Sequence, residues 1–549
     1  MVRRSVRYLW IVGAGLVGLV AAVVVYLNGQ GRDPGPDTVF RQLDQGWSNA
    51  VREQMHHLSF GSRILPYDWL LHLERAEGDG LLRDPAFLAR LGFIPALPSE
   101  RNPDGLPVGF SRTRADSTGT EWLGFNCAAC HTGAVRYQGE QVLIEGGPAL
   151  IDFTRFENAV IASLEATLAE RDRLDRLASS LGQDGRNGLQ AELQQRLAYL
   201  TQRRAINHSE TAYGHGRLDA FGQIFNTVAV ELLNQPGNAR PADAPVSYPF
   251  LWGAPHLDLV QWNGSAPNQA PGPLIQNVTT ALAVFGTANL TGPGGLDGYP
   301  SSVNIPNLGT LQRHYNQLRS PRWPEDLLGG LDPDKLAEGQ RLYRDNCLAC
   351  HALSDREQPL QSQRVTLVPR TEIGTDPTMA TNFIQARAQT GLLAGRKKLV
   401  VAGPDFGAEA STIETVVHAA LGATLHHPLE AIGVTLEDFL RVYGAKPRQI
   451  PDQYKARPLS GIWATAPFLH NGSVPTLYDL LLPPEQRPTR FHVGHRELDP
   501  VKVGYVSNAG PATSHFDTQL PGNSNQGHIY GTDLSDSERW ALVEYLKSL

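Results

Sequence analysis

Two short cysteine motifs constrain this chain more than any other feature of its sequence. Only four cysteines occur in 549 residues, and they form two pairs of identical spacing, each followed at once by a histidine. The motifs are Cys127-Ala-Ala-Cys130-His131 and Cys347-Leu-Ala-Cys350-His351. The CxxCH pattern is typical of covalent haem c attachment, in which two thiols bind the porphyrin and the histidine binds the iron. The sequence therefore predicts two covalently bound haem c groups.

A zinc site built from both pairs, or a redox-active CxxC, would use the same cysteines differently. Zinc does not require a histidine directly after each pair, and thioredoxin-like chemistry needs a βαβ context that the sequence lacks. A disulfide framework would distribute its cysteines through a short chain, whereas this long chain has none outside the two motifs. Covalent haem is therefore the favoured interpretation.

The charge balance argues against one large class of partner. The chain has 48 basic and 55 acidic side chains and a net charge of −7. Nucleic-acid-binding domains normally carry a basic excess, so we expect no nucleic-acid partner. With 54 glycines, 39 prolines and sparse strand-like alternation, the chain is expected to be mainly α and rich in loops.

The N-terminal segment predicts a membrane anchor. An uncharged run from Tyr8 to Leu27 follows three arginines, and its 20 positions would span ~30 Å as a helix. The basic flank favours a single-pass protein of the inner membrane with the bulk of the chain in the periplasm. A cleaved signal peptide, which would leave a soluble periplasmic or secreted protein, is the alternative.

The motifs suggest three parts along the chain. Residues 1–37 form the predicted anchor and a polar linker, residues 38–328 a first haem domain with helical and loop insertions, and residues 329–549 a second cytochrome c domain. The residues before the second motif have helical spacing, and a Ser535-x-x-Glu538 capping box opens a C-terminal helix. A helical hairpin, broken near Gly182–Gly188, is predicted between Phe156 and Ala205.

Several longer segments carry a resemblance to a known family. They are Leu65–Glu74 (LPYDWLLHLE), Leu123–Gly139 (LGFNCAACHTGAVRYQG), Gly146–Phe153 (GGPALIDF), Phe468–Leu477 (FLHNGSVPTL) and Gly522–His528 (GNSNQGH). With the double CxxCH motif, they resemble the di-haem cytochrome c peroxidase superfamily. The likeness is strongest to its large-chain branch, which holds the di-haem rubber oxygenases and the bacterial fatty-acid dioxygenase and diol synthase enzymes.

The resemblance implies a role for each of four histidines. His131 would be the proximal ligand of the first haem, whose distal face is the reaction site in the oxygenase branch. His351 would be proximal to the second haem, and His528 would be that haem's second axial ligand, which makes it an electron-transfer centre. His470 would order the pocket of the second haem. Met55 and Met379 are the plausible sulfur ligands, and Met379 is the main rival of His528.

Two aromatic residues complete the candidate site. Trp262 resembles the superfamily tryptophan that lies between the haems, although a packed core indole is the alternative. Phe285 is a candidate for an apolar distal pocket at the first haem. The peroxidases use a glutamate downstream of the tryptophan as acid and base; its counterpart here falls around Thr279 or Thr280, in a stretch without any acid. A hydroxyl cannot replace that carboxylate near neutral pH, so peroxidase activity is in doubt.

Three functions follow from these expectations. The first is a di-haem oxygenase that activates dioxygen at the first haem to oxidise an unsaturated apolar substrate. The second is a cytochrome c peroxidase that reduces hydrogen peroxide and draws electrons from a small redox protein. The third is a non-catalytic electron-transfer cytochrome with both haems closed by two ligands. The missing glutamate weighs against the second, and the length of the chain weighs against the third.

Overall fold

The computed structural model describes residues 39–113, 118–182, 186–356, 362–439 and 452–549. The helices are α1 (Asn49–His57), α2 (Tyr67–His72), α3 (Pro85–Arg90), α4 (Cys127–Cys130), α5 (Phe153–Ala169), α6 (Arg171–Ser180), α7 (Arg186–Ile206), α8 (Ala220–Asn226), α9 (Gly272–Ala283), α10 (Ile305–Gln317), α11 (Glu325–Leu328), α12 (Pro333–Asn346), α13 (Arg370–Ile373), α14 (Thr378–Gln385), α15 (Thr412–Leu425), α16 (Pro428–Phe439), α17 (Leu477–Leu480) and α18 (Asp536–Ser548). A π-helical turn, Thr227–Leu232, follows α8 directly.

The strands are short and scattered along the chain. They are β1 (Arg41–Gln42), β2 (Leu65–Pro66), β3 (Phe110–Arg112), β4 (Trp122–Phe125), β5 (Thr132–Tyr137), β6 (Glu140–Glu145), β7 (Arg217–Leu218), β8 (Val246–Ser247), β9 (Leu259–Val260), β10 (Ala266–Pro267), β11 (Thr366–Pro369), β12 (Arg387–Gln389), β13 (Glu409–Ser411), β14 (Gln453–Ala456), β15 (Arg490–Val493), β16 (Leu498–Asp499), β17 (Gly504–Tyr505) and β18 (Ser514–Asp517). Within the described ranges, every sheet has two or three strands; the three-stranded orders are β1-β6-β5 and β2-β4-β3. Helices and loops therefore carry most of the packing.

The first cysteine motif forms the short helix α4 between two strands. β4 leads into it and β5 leads out, and β5 pairs antiparallel with β6. Asn126 caps α4 by accepting a hydrogen bond from the Ala128 amide, and its own side-chain amide donates to the carbonyls of Met55 and Leu58. An asparagine cap satisfies the free amides at a helix start, and here it also fixes α4 to the end of α1.

The second motif lies at the end of α12, as the helical spacing predicted. α12 packs against the C-terminal helix α18, and a side chain at Gly339 would come within 2.1 Å of the Ala541 carbonyl oxygen. The glycine therefore allows the two backbones to touch. The capping box of Ser535 and Glu538 is present, which confirms the predicted start of α18.

The predicted hairpin between Phe156 and Ala205 is confirmed as helical, but it contains one more break. Three helices, α5, α6 and α7, occupy this part of the chain. Glu170 leaves helical geometry, with φ −110° and ψ 110°, and so separates α5 from α6. The break near Gly182 is also present, while residues 183–185 lie outside the described ranges.

Two buried clusters hold the chain together. The larger joins side chains from both sides of the predicted domain boundary at residues 328 and 329, including Met55, Trp252, Tyr343, Trp463 and Leu542. The second is rich in phenylalanine and lies around the first motif, with Cys130 packed against it. The division into two cytochrome c-like domains stays a prediction.

The membrane assignment requires a correction. In the part of the chain that the structure describes, no helix combines the length and the apolar character needed to cross a membrane. The predicted anchor, Tyr8–Leu27, lies outside those residues. The transmembrane and inner-membrane assignments are therefore not supported, and we do not retain them.

Candidate functional site

His131 is oriented for a metal by the peptide backbone. Its Nδ1 lies 2.8 Å from the carbonyl oxygen of Pro249, which can only accept, so Nδ1 carries the proton. A histidine that donates from one ring nitrogen leaves the lone pair of the other for a metal, the usual arrangement of metal-ligating histidines. Burial also lowers the pKa of His131 to about 4, so the ring is neutral near pH 7, as a ligand must be.

The thiols of the first motif are unlike those of a redox enzyme. Cys127 and Cys130 form no disulfide, and burial raises the pKa of both thiols to about 12. Catalytic CxxC motifs lower the pKa of a thiol instead. Among the described residues, no three His, Cys, Asp or Glu side chains come together as a metal cluster. The donor set fits covalent haem better than either alternative.

His351 has the same backbone support as His131. Its Nδ1 lies 2.8 Å from the carbonyl oxygen of Arg457, so the other ring nitrogen is again left for a metal. The hydroxyl of Tyr343, on α12, donates to the carbonyl of His351 at 2.6 Å. α12 therefore positions both the cysteines and the histidine of the second motif.

The ring of His528 faces that of His351. Their ring centroids are 6.2 Å apart, and the ring planes meet at 53°. Two imidazoles on opposite sides of one metal would have centroids ~6 Å apart, since each contributes a metal–nitrogen bond of ~2.0–2.1 Å and about 1.1 Å from nitrogen to ring centre. Burial is the main cause that lowers the pKa of His528, to about 3. The pair fits bis-histidine ligation of the second haem.

One buried arginine holds the loop that carries His528. Arg487 is 2% exposed, and it donates to the carbonyls of Asn525 (2.7 Å), Gly527 (2.8 Å) and His528 (3.0 Å). His528 itself has φ +46°, a left-handed backbone that a histidine adopts only under constraint. A side chain at Gly527 would come within 2.2 Å of the Gly374 backbone, so the loop must keep glycine there. The loop is built to hold His528 in one place.

His470, Trp262 and Met379 meet in a neighbouring cluster rather than beside His351. The ring of His470 stacks on Tyr454 at 4.2 Å, and Tyr454 packs with Met379. Burial lowers the pKa of His470 to about 4. These contacts agree with the prediction that His470 orders the pocket of the second haem. They also place Met379 in apolar surroundings.

Trp262 is half-buried and touches the segments that support both motif histidines. Its indole Nε1 donates to the carbonyl of Ser247 at 3.1 Å, and its own carbonyl accepts from the amide of Lys455 at 2.8 Å. Ser247 is two residues from Pro249, and Lys455 is two residues from Arg457. Its inter-haem role stays a prediction, and this placement is compatible with it.

Phe285 belongs to the phenylalanine-rich cluster near the first motif. It is 2% exposed and lies 6.2 Å from the ring of Phe153. The helix before it, α9, buries Leu274, Val278, Ala281 and Leu282, whereas Thr280 is exposed. A glutamate at Thr280 would therefore point to solvent.

Comparisons with known proteins add a family. The chain is 32% identical to uncharacterized protein y4iJ of Sinorhizobium fredii over 615 aligned positions, covering the whole of both chains. The chain belongs to the y4iJ family. A second relative, uncharacterized protein y4iM of Sinorhizobium fredii, is 28% identical over 55% of this chain and 63% of its own length.

A family model matches a short stretch inside this y4iJ-family protein. Residues 453–492 match a family described as RoxA-like, cytochrome c-like. The match supports a RoxA-like di-haem cytochrome family and a haem-dependent oxidoreductase that carries haem c. The matched residues include β14, Arg457, His470 and Arg487. Of these, Arg457 supports His351 and Arg487 supports the loop of His528.

The sequence of this y4iJ-family protein gave no sign of an acid near Phe285, yet the structure brings one there. Arg203 lies with its guanidinium carbon 4.5 Å from the ring centre of Phe285, and it pairs with Glu231 at 3.1 Å. Glu231 lies in the π-helical turn, a feature often found at functional sites. Burial raises the pKa of Glu231, and it raises that of nearby Glu157 to about 7. α9 has no acid, but Glu231 in the π-helical turn is linked to Phe285 through Arg203.

The loop around His528 provides a direct test in this y4iJ-family protein. We expect Arg487→Met to lower the free energy of unfolding by at least about 3 kcal/mol, because hydrogen bonds from a charged group to buried carbonyls contribute about 1.5–3 kcal/mol each and the cost of burying the charge offsets part of their sum. It should also raise the high-spin fraction of the second haem, since His528 loses its support. Denaturant unfolding and electron paramagnetic resonance measure the two effects.

Arg490→Met is the matched control for that variant. Arg490 is three residues further on, 63% exposed, and pairs with Asp517 at the surface. Exposed pairs contribute about 0–1 kcal/mol, so this variant should change neither quantity noticeably. Equal effects of the two variants would contradict a specific role for Arg487.

Proposed function

We propose that the protein is a di-haem c-type oxidoreductase that uses dioxygen at its first haem to oxidise an unsaturated apolar substrate. The second haem would store and pass electrons. A haem iron supplies, when bound, either a closed electron-transfer centre or an open position for a small oxidant, depending on its axial ligands. The residues around the first motif support an open position, and those around the second motif support a closed electron-transfer centre.

The observation that carries this proposal is an asymmetry between the two motif histidines. His351 has a second histidine, His528, with its ring centroid 6.2 Å away, which fits two imidazoles on one metal. Within the described residues, the ring in contact with His131 is that of Tyr248, at 6.4 Å, and not a second histidine. The side chain of Tyr248 also interacts with the thiol of Cys130, so Tyr248 packs against the motif itself. An open first site and a closed second site suit an enzyme better than a simple carrier.

The side chains around the first motif favour an apolar substrate. Phe93, Phe110, Phe125 and Phe156 pack in a cluster with ring centroids 5.0–5.9 Å apart, and Cys130 packs against the same cluster. Such surroundings exclude water and contribute mainly through burial of apolar surface. Phe285 and Phe153 extend this cluster toward Arg203.

Oxygen uptake tests the proposal. The protein, produced with the haem-maturation machinery and shown by mass spectrometry to carry two haem adducts, should consume dioxygen when given an unsaturated lipid or a polyisoprenoid. Oxygenated products should appear by mass spectrometry, while saturated analogues of the same length should give none. Absence of uptake over the whole panel, with both haems attached, would reject the oxygenase.

Peroxide reduction is the second candidate, and one observation favours it. The Glu231 carboxylate pairs with Arg203, and the Arg203 guanidinium lies against the ring of Phe285, so one side chain separates an acid from the predicted distal wall. Fast consumption of hydrogen peroxide with a reduced small cytochrome as donor, and no oxygen uptake, would support this candidate instead.

A further inference from the structure

The two motif histidines are connected by a short chain of hydrogen bonds and peptide units. The Nδ1 of His131 donates to the carbonyl of Pro249 at 2.8 Å. The next carbonyl along the chain, that of Phe250, accepts from Nη1 of Arg457 at 2.9 Å. The carbonyl of Arg457 in turn accepts from Nδ1 of His351 at 2.8 Å. One residue, Arg457, therefore participates in the support of both histidines.

Arg457 is an unusual residue in its own right. It is 7% exposed, and its guanidinium carbon lies 3.3 Å from the ring centre of Phe250. Nη2 donates to the carbonyl of Trp252 at 3.3 Å, whereas Nε is buried without a hydrogen-bond partner in the described residues. Those residues also provide no carboxylate that pairs with it. A buried, unpaired charge is costly, so its position calls for a functional reason.

A small cleft borders Arg457. Its volume is about 30 Å³, it is partly open to solvent, and Phe250, Trp252 and Arg457 contribute to its lining. The other formally charged lining residues are Arg319, Asp355 and Arg356. The lining is therefore net positive, and Arg457 is its buried member.

We propose that Arg457 is a positioning residue shared by both haem sites, and that its buried positive charge raises the reduction potential of both irons. Its carbonyl orients His351, and its guanidinium fixes the Pro249–Phe250 segment that orients His131. A positive charge near an iron disfavours the more positive ferric state, and the effect is strong where little water screens it. The inference rests on the proposed binding of two haems and does not depend on the oxygenase reaction.

Redox titration of the di-haem protein tests this inference. Arg457→Met should lower the midpoint potential of both haems, each by at least the 59 mV that corresponds to a tenfold change in a one-electron equilibrium constant. Arg457→Lys keeps the charge, so the midpoint potential of each haem should stay close to its native value, within a threefold change of the one-electron equilibrium constant. If the Met variant does not accumulate, Arg457→Gln replaces it, because glutamine is uncharged but can still donate to Phe250, and the same decrease is expected.

Arg496→Met is the matched control. Like Arg457, Arg496 donates to two backbone carbonyls, those of Gly92 and Phe93, but in the described part of the chain it is not bonded to the supports of the motif histidines. It should leave both potentials unchanged. A shift of only one haem in Arg457→Met, or equal shifts in the control, would overturn the shared role. Loss of a haem adduct from the native protein would instead reject the proposed function, and mass spectrometry separates the two outcomes.

Discussion

Replacing His528 by alanine is expected to convert the second haem from a low-spin to a high-spin or water-ligated form. The expectation follows from the 6.2 Å between the ring centroids of His528 and His351, which fits two imidazoles on one metal. Loss of one of two strong axial ligands changes the spin state of a haem, so the effect should be close to complete. The spectrum of the first haem should not change. Absorption and electron paramagnetic resonance spectra of the isolated variant measure both haems.

His470→Ala is the control for that experiment. His470 is a second buried histidine of the same region, but its ring stacks on Tyr454 and does not contact His351. This variant should keep a low-spin second haem. An unchanged spectrum in His528→Ala would mean that another residue is the second ligand of the iron. Met379 would be the first residue to examine by substitution.

The local elements around the motifs could be predicted from the sequence because their signals are local. Helical spacing before Cys347 predicted α12, and the Ser535-x-x-Glu538 box predicted the start of α18. Each signal needs only a few neighbouring residues, since capping and side-chain periodicity act within one or two turns. The contact between α12 and α18 also has a signal in the sequence. Gly339 is the position where α12 can approach the Ala541 carbonyl.

The supports of the two histidines could not be predicted in the same way. Pro249 and Arg457 act through their backbone carbonyls, and a carbonyl is present at every residue, so its role leaves no mark on the sequence. Arg487 donates hydrogen bonds to the loop that carries His528, although it lies about 40 residues earlier in the chain. Such partners are set by long-range packing, which spacing rules do not describe.

The acid near Phe285 shows a second reason for failure. α9 contains no glutamate, as its sequence shows. Glu231, in the π-helical turn, is linked to Phe285 through Arg203 on α7. Sequence position alone points to α9, whereas the carboxyl group linked to Phe285 comes from a different element.

Replacing Arg203 by methionine is expected to raise hydrogen peroxide turnover by up to about 10²-fold. In the native protein, Arg203 pairs with Glu231 at 3.1 Å and lowers the pKa that burial raises, so the carboxylate is a weak base and turnover should be slow. Without the arginine, burial remains as the main influence, and the pKa of Glu231 should rise further. A higher pKa suits a carboxyl group that must both take up and release a proton, and general acid–base help contributes about 10²–10⁴-fold. Peroxide consumption with a reduced electron donor measures the change.

The double variant Arg203→Met/Glu231→Gln decides whether Glu231 causes that gain. It should return to the slow native rate, while Thr280→Glu, whose new carboxylate would be exposed, should not differ from the native protein. Breaking a buried ion pair costs about 3–5 kcal/mol, so haem content and unfolding midpoint must be measured first for each variant. Equal rates in the single and double variants, with both haems attached, would show that Glu231 does not reach the reacting position. The peroxidase proposal would then lose the support of Glu231, and α9 has no acid that could replace it.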